Sequence, residues 1–173
     1  MIYHIFFIIA VIMNNYKLFT TQKDEVSFQY PPYWLHEMEN ENTYLFFEEF
    51  LGSFRITPRV MDIANFEILA YLNKEFEFKQ KYDPEWKTFN GRDFLCYDYD
   101  FENNGREFHV HYFLTGYGNI LLTCSFAYDN SLADDMIGSI EITKELEGVE
   151  TLLNSLKFKS EKKSKKASAT KKH

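Results

Sequence analysis

The chain has 173 residues, of which 45% are hydrophobic, and its 18 Phe, 12 Tyr and 2 Trp are enough for one domain to bury a core without metal or disulfide bridges. The net charge is −7, yet residues 157–173 carry eight Lys and a single acidic residue, so the rest of the chain is strongly acidic. This balance argues against nucleic-acid binding over most of the surface. Two cysteines form neither a disulfide framework nor a zinc motif, which favours a reducing compartment.

The two ends of the chain differ from the part between them. Residues 1–13 are apolar but too short for a membrane span, which needs about 20 apolar residues, and no Lys or Arg precedes them as in a signal peptide. We interpret them as an N-terminal extension, from a misassigned start or a non-native addition. Residues 159–173 are predicted to be a disordered Lys-rich tail, which leaves a single domain over residues 24–158. The expected location is the cytoplasm, with export as the alternative if residues 1–13 act as a signal.

The first part of the domain is predicted to be strands. Residues 24–30 alternate apolar and polar side chains, and Pro31-Pro32 ends that strand because proline has no backbone donor. Three further strands are expected over residues 33–38, 43–48 and 53–57, with polar or Gly-containing turns between them.

Helical spacing follows the fourth strand and returns at the end of the domain. Apolar residues recur at helical intervals over residues 62–75, whereas residues 76–86 are ambiguous. A second helix is predicted from Thr143, with Leu146, Val149 and Leu153 on its apolar side.

Residues 87–128 predict the best-defined strands of the sheet. Strands over residues 87–89 and 92–101 flank an Asn-Gly turn, and the Asn104-Gly105 pair is typical of a two-residue hairpin loop. That loop places Phe101 opposite Phe108 and collects an apolar set on one face, which we interpret as the core face. A three-residue loop at residues 116–118 is predicted to give the next pairing.

The same register brings acidic and histidine side chains together on the face opposite the predicted core. Asp98 opposes His111 and Asp100 opposes His109, and two histidines two residues apart beside cross-strand carboxylates suit a divalent metal. The alternative is a set of simple Asp–His pairs, each contributing less than about 1 kcal/mol. We expect no metal and no cofactor, with these four residues as the candidates for a metal site. Thr123 and Ser125 are expected beside them.

Catalytic constellations are absent from the sequence. It has no Gly-x-Ser-x-Gly elbow and no Gly-rich phosphate loop, and neither cysteine is near an obvious base. Cys124 is expected on the core face and Cys96 on the opposite face, both as small apolar residues. The chain is therefore predicted not to be an enzyme.

Large aromatic residues near predicted loops are the candidates for partner binding. Trp86, Tyr82 and Tyr33 lie near breaks in the pattern, where exposed rings often dominate binding energy. Trp34 is expected in the core, as large aromatics usually are.

The stretch Phe28-Gln29-Tyr30-Pro31-x-x-Trp34 resembles the opening of domains in the PsbP-like αβα-sandwich superfamily. That superfamily includes a photosystem extrinsic subunit, a Ran-binding nuclear transport factor and bacterial domains of unknown function. The predicted order of elements is similar over residues 24–158. The resemblance implies an α+β fold in which an antiparallel sheet of about six to seven strands is covered by helices. It implies a binding or scaffold role, and no catalytic residues to carry over.

These observations predict a non-catalytic domain that binds a protein partner. One version is an immunity-like or chaperone-like protein whose acidic surface binds a basic partner. The alternative is a domain that binds a small ligand or metal on the Asp/His face. Neither specific nucleic-acid binding nor a stable membrane span is expected.

Overall fold

The computed structural model describes residues 15–23, 25–62 and 66–159, so the apolar segment 1–13 and nearly all of the Lys-rich tail lie outside the described residues. The elements in chain order are β1 (Lys17–Thr20), β2 (Val26–Tyr30), β3 (Leu35–Asn40), β4 (Thr43–Glu48), β5 (Gly52–Val60), α1 (Ile68–Phe78), a 3₁₀ turn (Gln80–Tyr82), β6 (Glu85–Phe89), β7 (Arg92–Asn103), β8 (Arg106–Tyr117), β9 (Ile120–Asp129), α2 (Asn130–Ala133), α3 (Met136–Ser155) and β10 (Lys157–Phe158).

Two antiparallel sheets organise the described residues. The larger sheet has seven strands in the order β3-β4-β5-β9-β8-β7-β6, and the smaller one has three in the order β1-β2-β10. The α+β class with a seven-stranded sheet is thus confirmed. The strand predicted over residues 24–30 is present, but it does not belong to this larger sheet. As β2 it lies in the small sheet, between two short strands that the sequence pattern did not reveal.

Helices cover both faces of the large sheet. On one face, α3 and the small sheet bury the principal core, in which Phe28, Phe54 and Leu152 are fully buried. On the other face, α1 packs Leu72 against the leucines of the central strands. The predicted boundaries of these helices are less accurate. The long helix begins at Met136, where the Asp135 side chain caps it, rather than at Thr143, and α1 begins at Ile68.

The turn after β2 brings Trp34 against the long helix. Trp34 is 2% exposed, as predicted for a core residue, and its ring stacks on Phe54 with the ring centres 6.2 Å apart. Gly148 of α3 lies directly against this turn. A Cβ atom there would stand 2.9 Å from Cγ of Pro31 and 3.3 Å from Cζ2 of Trp34. The absence of a side chain at position 148 therefore allows the helix to approach the Tyr-Pro-x-x-Trp turn.

The two long hairpins have two-residue loops. Asn104 and Gly105 both have positive φ, at 53° and 75°, as a type I′ turn requires, and Phe101 pairs with Phe108 as predicted. The second loop is Gly118-Asn119, because Tyr117 pairs with Ile120. The predicted three-residue loop at 116–118 is therefore wrong. The observed register between β8 and β9 differs from the predicted one by three residues. Because this shift is an odd number, each side chain of β9 lies on the opposite face of the sheet from the one predicted.

No helix within the described ranges has both the length and the apolar character that crossing a membrane requires.

Candidate functional site

The paired strands β7 and β8 place four polar side chains together as predicted. Asp98 pairs with His111 and Asp100 pairs with His109. Nδ1 of His109 lies 2.7 Å from Oδ1 of Asp100, and Nδ1 of His111 lies 2.9 Å from Oδ1 of Asp98. Nε2 of His109 is 3.8 Å from Oδ2 of Asp98. We refer to Asp98, Asp100, His109 and His111 as the Asp/His cluster.

The Asp/His cluster lies on a different face from the one predicted. It projects from the same face as Phe94, Cys96 and Phe113 of the principal core, beyond the part covered by α3. The tyrosine-rich set that the sequence suggested as the core belongs to the opposite face, whose core is the smaller one beneath α1. The wrong inference arose because both faces of β7 and β8 carry large apolar residues.

Aromatic rings, rather than hydroxyl side chains, border the cluster on β9. His111 pairs with Phe126 and His109 pairs with Tyr128, and the ring centres of His111 and Phe126 are 6.4 Å apart in a stacked arrangement. Thr123 and Ser125, which were expected here, lie on the opposite face because of the two-residue loop before β9. The cluster therefore has an apolar wall along one side.

Burial and hydrogen bonding act against each other at Asp98. Partial burial raises its pKa, but the hydrogen bond with His111 and the electrostatic influence of His111, His109 and Lys87 together outweigh burial, so the pKa of Asp98 lies below its ordinary value. The carboxylate is therefore ionised at neutral pH. Nε2 of His111 is buried without a hydrogen-bond partner.

A second polar site, which the sequence reasoning missed, lies between α3 and the Tyr-Pro-x-x-Trp turn. Glu145 is 1% exposed, and its Oε2 accepts a hydrogen bond from Nε1 of Trp34. Its carboxyl group faces that of Glu48. Burial, then the hydrogen bond and negative charge of Glu48, raise the pKa of Glu145 to about 7, although Trp34 and Lys144 act in the opposite direction. No local sequence signal identifies this pair, because β4 and α3 are far apart in the chain.

Tyr33, one of the predicted partner-binding residues, lies beside this carboxyl pair. It is 40% exposed, and the ammonium group of Lys144 lies 4.7 Å from its ring centre. Burial and the neighbouring Glu145 and Glu48 raise the pKa of the Tyr33 hydroxyl far above its ordinary value. Tyr33 therefore has an exposed edge, but its contacts within the chain account for its position.

The other two predicted partner-binding residues lie on the face that carries α1. Trp86 is 40% exposed on β6 and stacks on Phe76 of α1, with ring centres 5.8 Å apart. Tyr82 stacks on Tyr97 at 5.5 Å. Trp86 and Tyr82 thus lie on the same face of the sheet, whereas Tyr33 lies elsewhere.

Tyr82 belongs to a continuous series of ring contacts across β7 and β8. Successive ring centres are 4.7 to 6.5 Å apart, and the series reaches from the 3₁₀ turn to the far end of the hairpin. The series, which we call the aromatic row, consists of Tyr112, Tyr97, Tyr82, Tyr99, Phe101 and Phe108. Phe101 is 41% exposed and, with Phe108, lines a groove of about 890 Å³ that also includes Leu45 and Phe47.

Both cysteines are buried in the principal core, where Cys96 and Cys124 pair with Phe113 from either side. They share one face of the sheet, so the prediction of opposite faces is wrong. Burial raises the pKa of Cys96 to about 12 and that of Cys124 further still. The thiols are protonated at neutral pH, which leaves them without nucleophilic character.

Comparison with known families adds to this geometry. A family model described as a domain of unknown function, DUF3805, matches residues 14–167. The chain belongs to the DUF3805 family. Among curated proteins, none matches the chain.

Solved structures similar to this DUF3805 domain share its fold at low identity. A crystal structure of a protein from Bacteroides thetaiotaomicron is 21% identical with a TM-score of 0.63, and the match covers 83% of this chain and 48% of that one. The DUF3805 chain thus spans about half the length of that protein.

Two further structures match over nearly their whole length. The Ran-binding protein Mog1p from Saccharomyces cerevisiae is 8% identical with a TM-score of 0.51, and the match covers 83% of this chain and 95% of that one. Cyanobacterial PsbP from Synechocystis is 12% identical with a TM-score of 0.47, covering 83% and 92% of the two chains. The likeness to Mog1p confirms the PsbP-like αβα sandwich predicted from Tyr30, Pro31 and Trp34.

Proposed function

We propose that this DUF3805 chain is a non-catalytic domain that binds a protein partner through the aromatic row. The observation that carries the proposal is the outer part of the ring series, which continues from the buried Tyr97 to the partly exposed Tyr99 and the exposed Phe101. Contiguous apolar surface of this kind marks interaction sites, and aromatic anchors supply much of the binding energy in interfaces.

Positive side chains flank the aromatic row at both ends. The ammonium group of Lys81 lies 4.4 Å from the ring centre of Tyr82, and that of Lys79 lies 5.6 Å from Tyr97. At the other end, the guanidinium of Arg106 lies 5.6 Å from the ring of Phe108 and is paired with the carboxylate of Asp129. We infer a partner surface with apolar side chains at its centre and carboxylates beside Lys79 and Lys81. The acidic character of the rest of the chain favoured a basic partner, whereas Lys79 and Lys81 favour an acidic one at this end of the row.

Two observations support a binding role rather than catalysis. The thiols of Cys96 and Cys124 are buried and protonated. In addition, the yeast protein Mog1p, which shares the fold, is a Ran-binding protein, so this fold is compatible with binding a protein. An immunity-like or chaperone-like role is a narrower proposal, in which the acidic surface of the chain binds a basic partner instead.

The test is recovery of a stoichiometric partner followed by measurement of its affinity for variants. The face variant replaces Tyr99 and Phe101 with Ala, and the matched control replaces Ile137 and Ile140, two exposed residues of α3, with Ala. We expect the face variant to weaken Kd by about 30-fold or more, as loss of hot-spot rings does, and the control to bind like the original chain. Equal binding by both variants would place the partner elsewhere.

Charge reversal tests the chemistry of the partner. Replacing Lys79 and Lys81 with Glu should lower the affinity for a partner with carboxylates at its rim by about 10-fold. The same change should reduce the salt dependence of association. Replacing Lys17 and Lys23 with Glu is the control, because it makes the same change of charge away from the aromatic row. Stronger binding of the Lys79/Lys81 variant would overturn the carboxylate assignment in favour of a basic partner.

A further inference from the structure

We propose that Asp98, His109 and His111 form a binding site for one divalent transition-metal ion of the zinc class. Each residue offers one ligand atom, and these atoms all lie within 4.8 Å of one another. Two imidazoles with one carboxylate are a donor set that suits Zn²⁺ and its neighbours in the first transition row. Mg²⁺ and Ca²⁺ prefer oxygen ligands, so two nitrogen donors disfavour them.

The distances between ligand atoms are near those of a formed site. Two ligands at about 2.1 Å from a tetrahedral ion stand about 3.4 Å apart. Nε2 of His109 and Oδ2 of Asp98 are separated by 3.8 Å, and Nδ1 of His111 is 2.9 Å from Oδ1 of Asp98. The side chain of Asp98 is 54% exposed and free to adjust by a few tenths of an ångström. With one ligand atom taken from each residue, the three atoms lie within 4.8 Å of one another, so the site closes by adjustment of the side chains.

Asp100 holds His109 in the orientation that a ligand needs. Its Oδ1 accepts a hydrogen bond from Nδ1 of His109 at 2.7 Å, which directs Nε2 of His109 towards Asp98. A carboxylate behind a metal-binding histidine fixes the tautomer and raises the basicity of the ligating nitrogen. Asp100 is therefore a positioning residue for the ion.

The surroundings of the cluster suit an ion with an open coordination position. The rings of Phe126 and Tyr128 lie against His111 on the inner side, with centres 6.4 and 5.9 Å away. On the outer side the two aspartates are half exposed, so three protein ligands leave a position for water.

The electrostatics also favour a cation. The two carboxylates provide two negative charges, and Lys87, whose ammonium group is paired with Glu85 at 2.6 Å, is the positive residue that acts on Asp98 from β6.

Titration of untagged, metal-free protein with Zn²⁺ tests the site directly, with Mg²⁺ titrated in parallel. We expect one Zn²⁺ per chain at micromolar Kd or tighter and no comparable binding of Mg²⁺. Asp98→Asn and His109→Gln should each weaken Kd at least about 10-fold. His36→Gln, a change to a histidine on β3, is the matched control and should leave Kd unchanged.

Two further measurements separate ligation from a general effect on folding. Co²⁺ should give visible absorption typical of a four-coordinate site, and Asp100→Asn should shift that absorption as well as weaken Kd, because it alters the ligand His109. Circular dichroism of each metal-free variant shows whether it is folded. Lack of one-to-one Zn²⁺ binding, or binding that survives both Asp98→Asn and His109→Gln in folded protein, would overturn the proposal.

Discussion

The indole N–H of Trp34 donates a hydrogen bond to the buried carboxyl group of Glu145, which is 111 residues away in the sequence. The same carboxyl group faces Glu48, and burial together with that neighbour raises the pKa of Glu145 to about 7. The turn that resembles the PsbP-like superfamily is thus connected to the long helix by a group that titrates near neutral pH.

Glu145→Gln should change how stability depends on pH. The pKa of Glu145 is raised from 4.5 to about 7 on folding, so the folded state holds the proton more tightly than the unfolded state. The contribution of Glu145 to the free energy of unfolding is therefore complete below about pH 4.5. It is lost as the pH rises to about 7, by on the order of 3 kcal/mol. Gln resembles the protonated acid and cannot ionise. Urea unfolding at pH 5 to 8.5 should show this loss in the original chain and not in Glu145→Gln.

Glu147→Gln is the control for that experiment, because it removes a carboxyl group from an exposed position of the same helix. It should retain the pH dependence of the original chain. Parallel curves for the original chain and Glu145→Gln would contradict the prediction.

Trp34→Phe should raise the pKa of Glu145 further, because the hydrogen bond from Trp34 lowers it at present. We expect the pH-dependent loss of stability to extend to higher pH and the free energy of unfolding to fall by about 1 to 3 kcal/mol, since a buried acceptor loses its donor. The measurement is the same series of urea unfolding curves. Trp86→Phe is the matched control: Trp86 is 40% exposed on β6, so a change well below 1 kcal/mol is expected. Equal losses in both variants would contradict the assigned role of Trp34.

Gly148→Val should destabilise the fold by about 2 to 3 kcal/mol. A Cβ at position 148 meets the ring of Pro31 at 2.9 Å and Trp34 at 3.3 Å, and neither ring can move without disturbing the core. Thermal and urea unfolding give the loss. Glu150→Val, at an exposed position of the same helix, measures the part due to helix propensity alone and should cost much less. A Gly148→Val protein as stable as the Glu150→Val protein would show that the helix can shift.

The two cysteines should be unreactive while the chain is folded. Burial raises the pKa of Cys96 to about 12, and Cys124 is fully enclosed, so neither forms a thiolate at pH 8. A thiol-specific reagent should modify both cysteines rapidly in denaturant. In the folded chain, labelling should proceed no faster than local unfolding exposes the thiols. Rapid labelling of either thiol in the folded chain would contradict this account.

The sequence was most informative where pairing is local. Asn104-Gly105 fixes one turn type, and the alternation on either side leaves one register, so Asp98, Asp100, His109 and His111 could be brought together without a structure. The next turn contains glycines at 116 and 118, and both suggest a loop. Gly116 lies within β8, however, and the true turn is Gly118-Asn119. The neighbours of the cluster on β9 were therefore predicted wrongly.

Long-range relationships could not be predicted from the pattern. Glu145 has an ordinary place in a helical sequence, and only the packing of α3 on β4 and on the turn at Trp34 makes it a buried acid. The faces of the sheet were assigned by the number of aromatic residues, but β7 carries large rings on both faces. Which face forms the principal core depends on where α3 and the small sheet pack, and no local feature of β7 specifies that.

The three-stranded sheet has a consequence for synthesis of the chain. β2 is hydrogen-bonded on one side to β1, which begins at Lys17, and on the other side to β10, which ends at Phe158. Until residue 158 leaves the ribosome, one edge of β2 is open, and an open edge is able to pair with a strand of another chain. A nascent or shortened chain that ends before Lys157 is therefore exposed to exchange of strands between neighbouring molecules, a hazard that the last two residues of the small sheet remove.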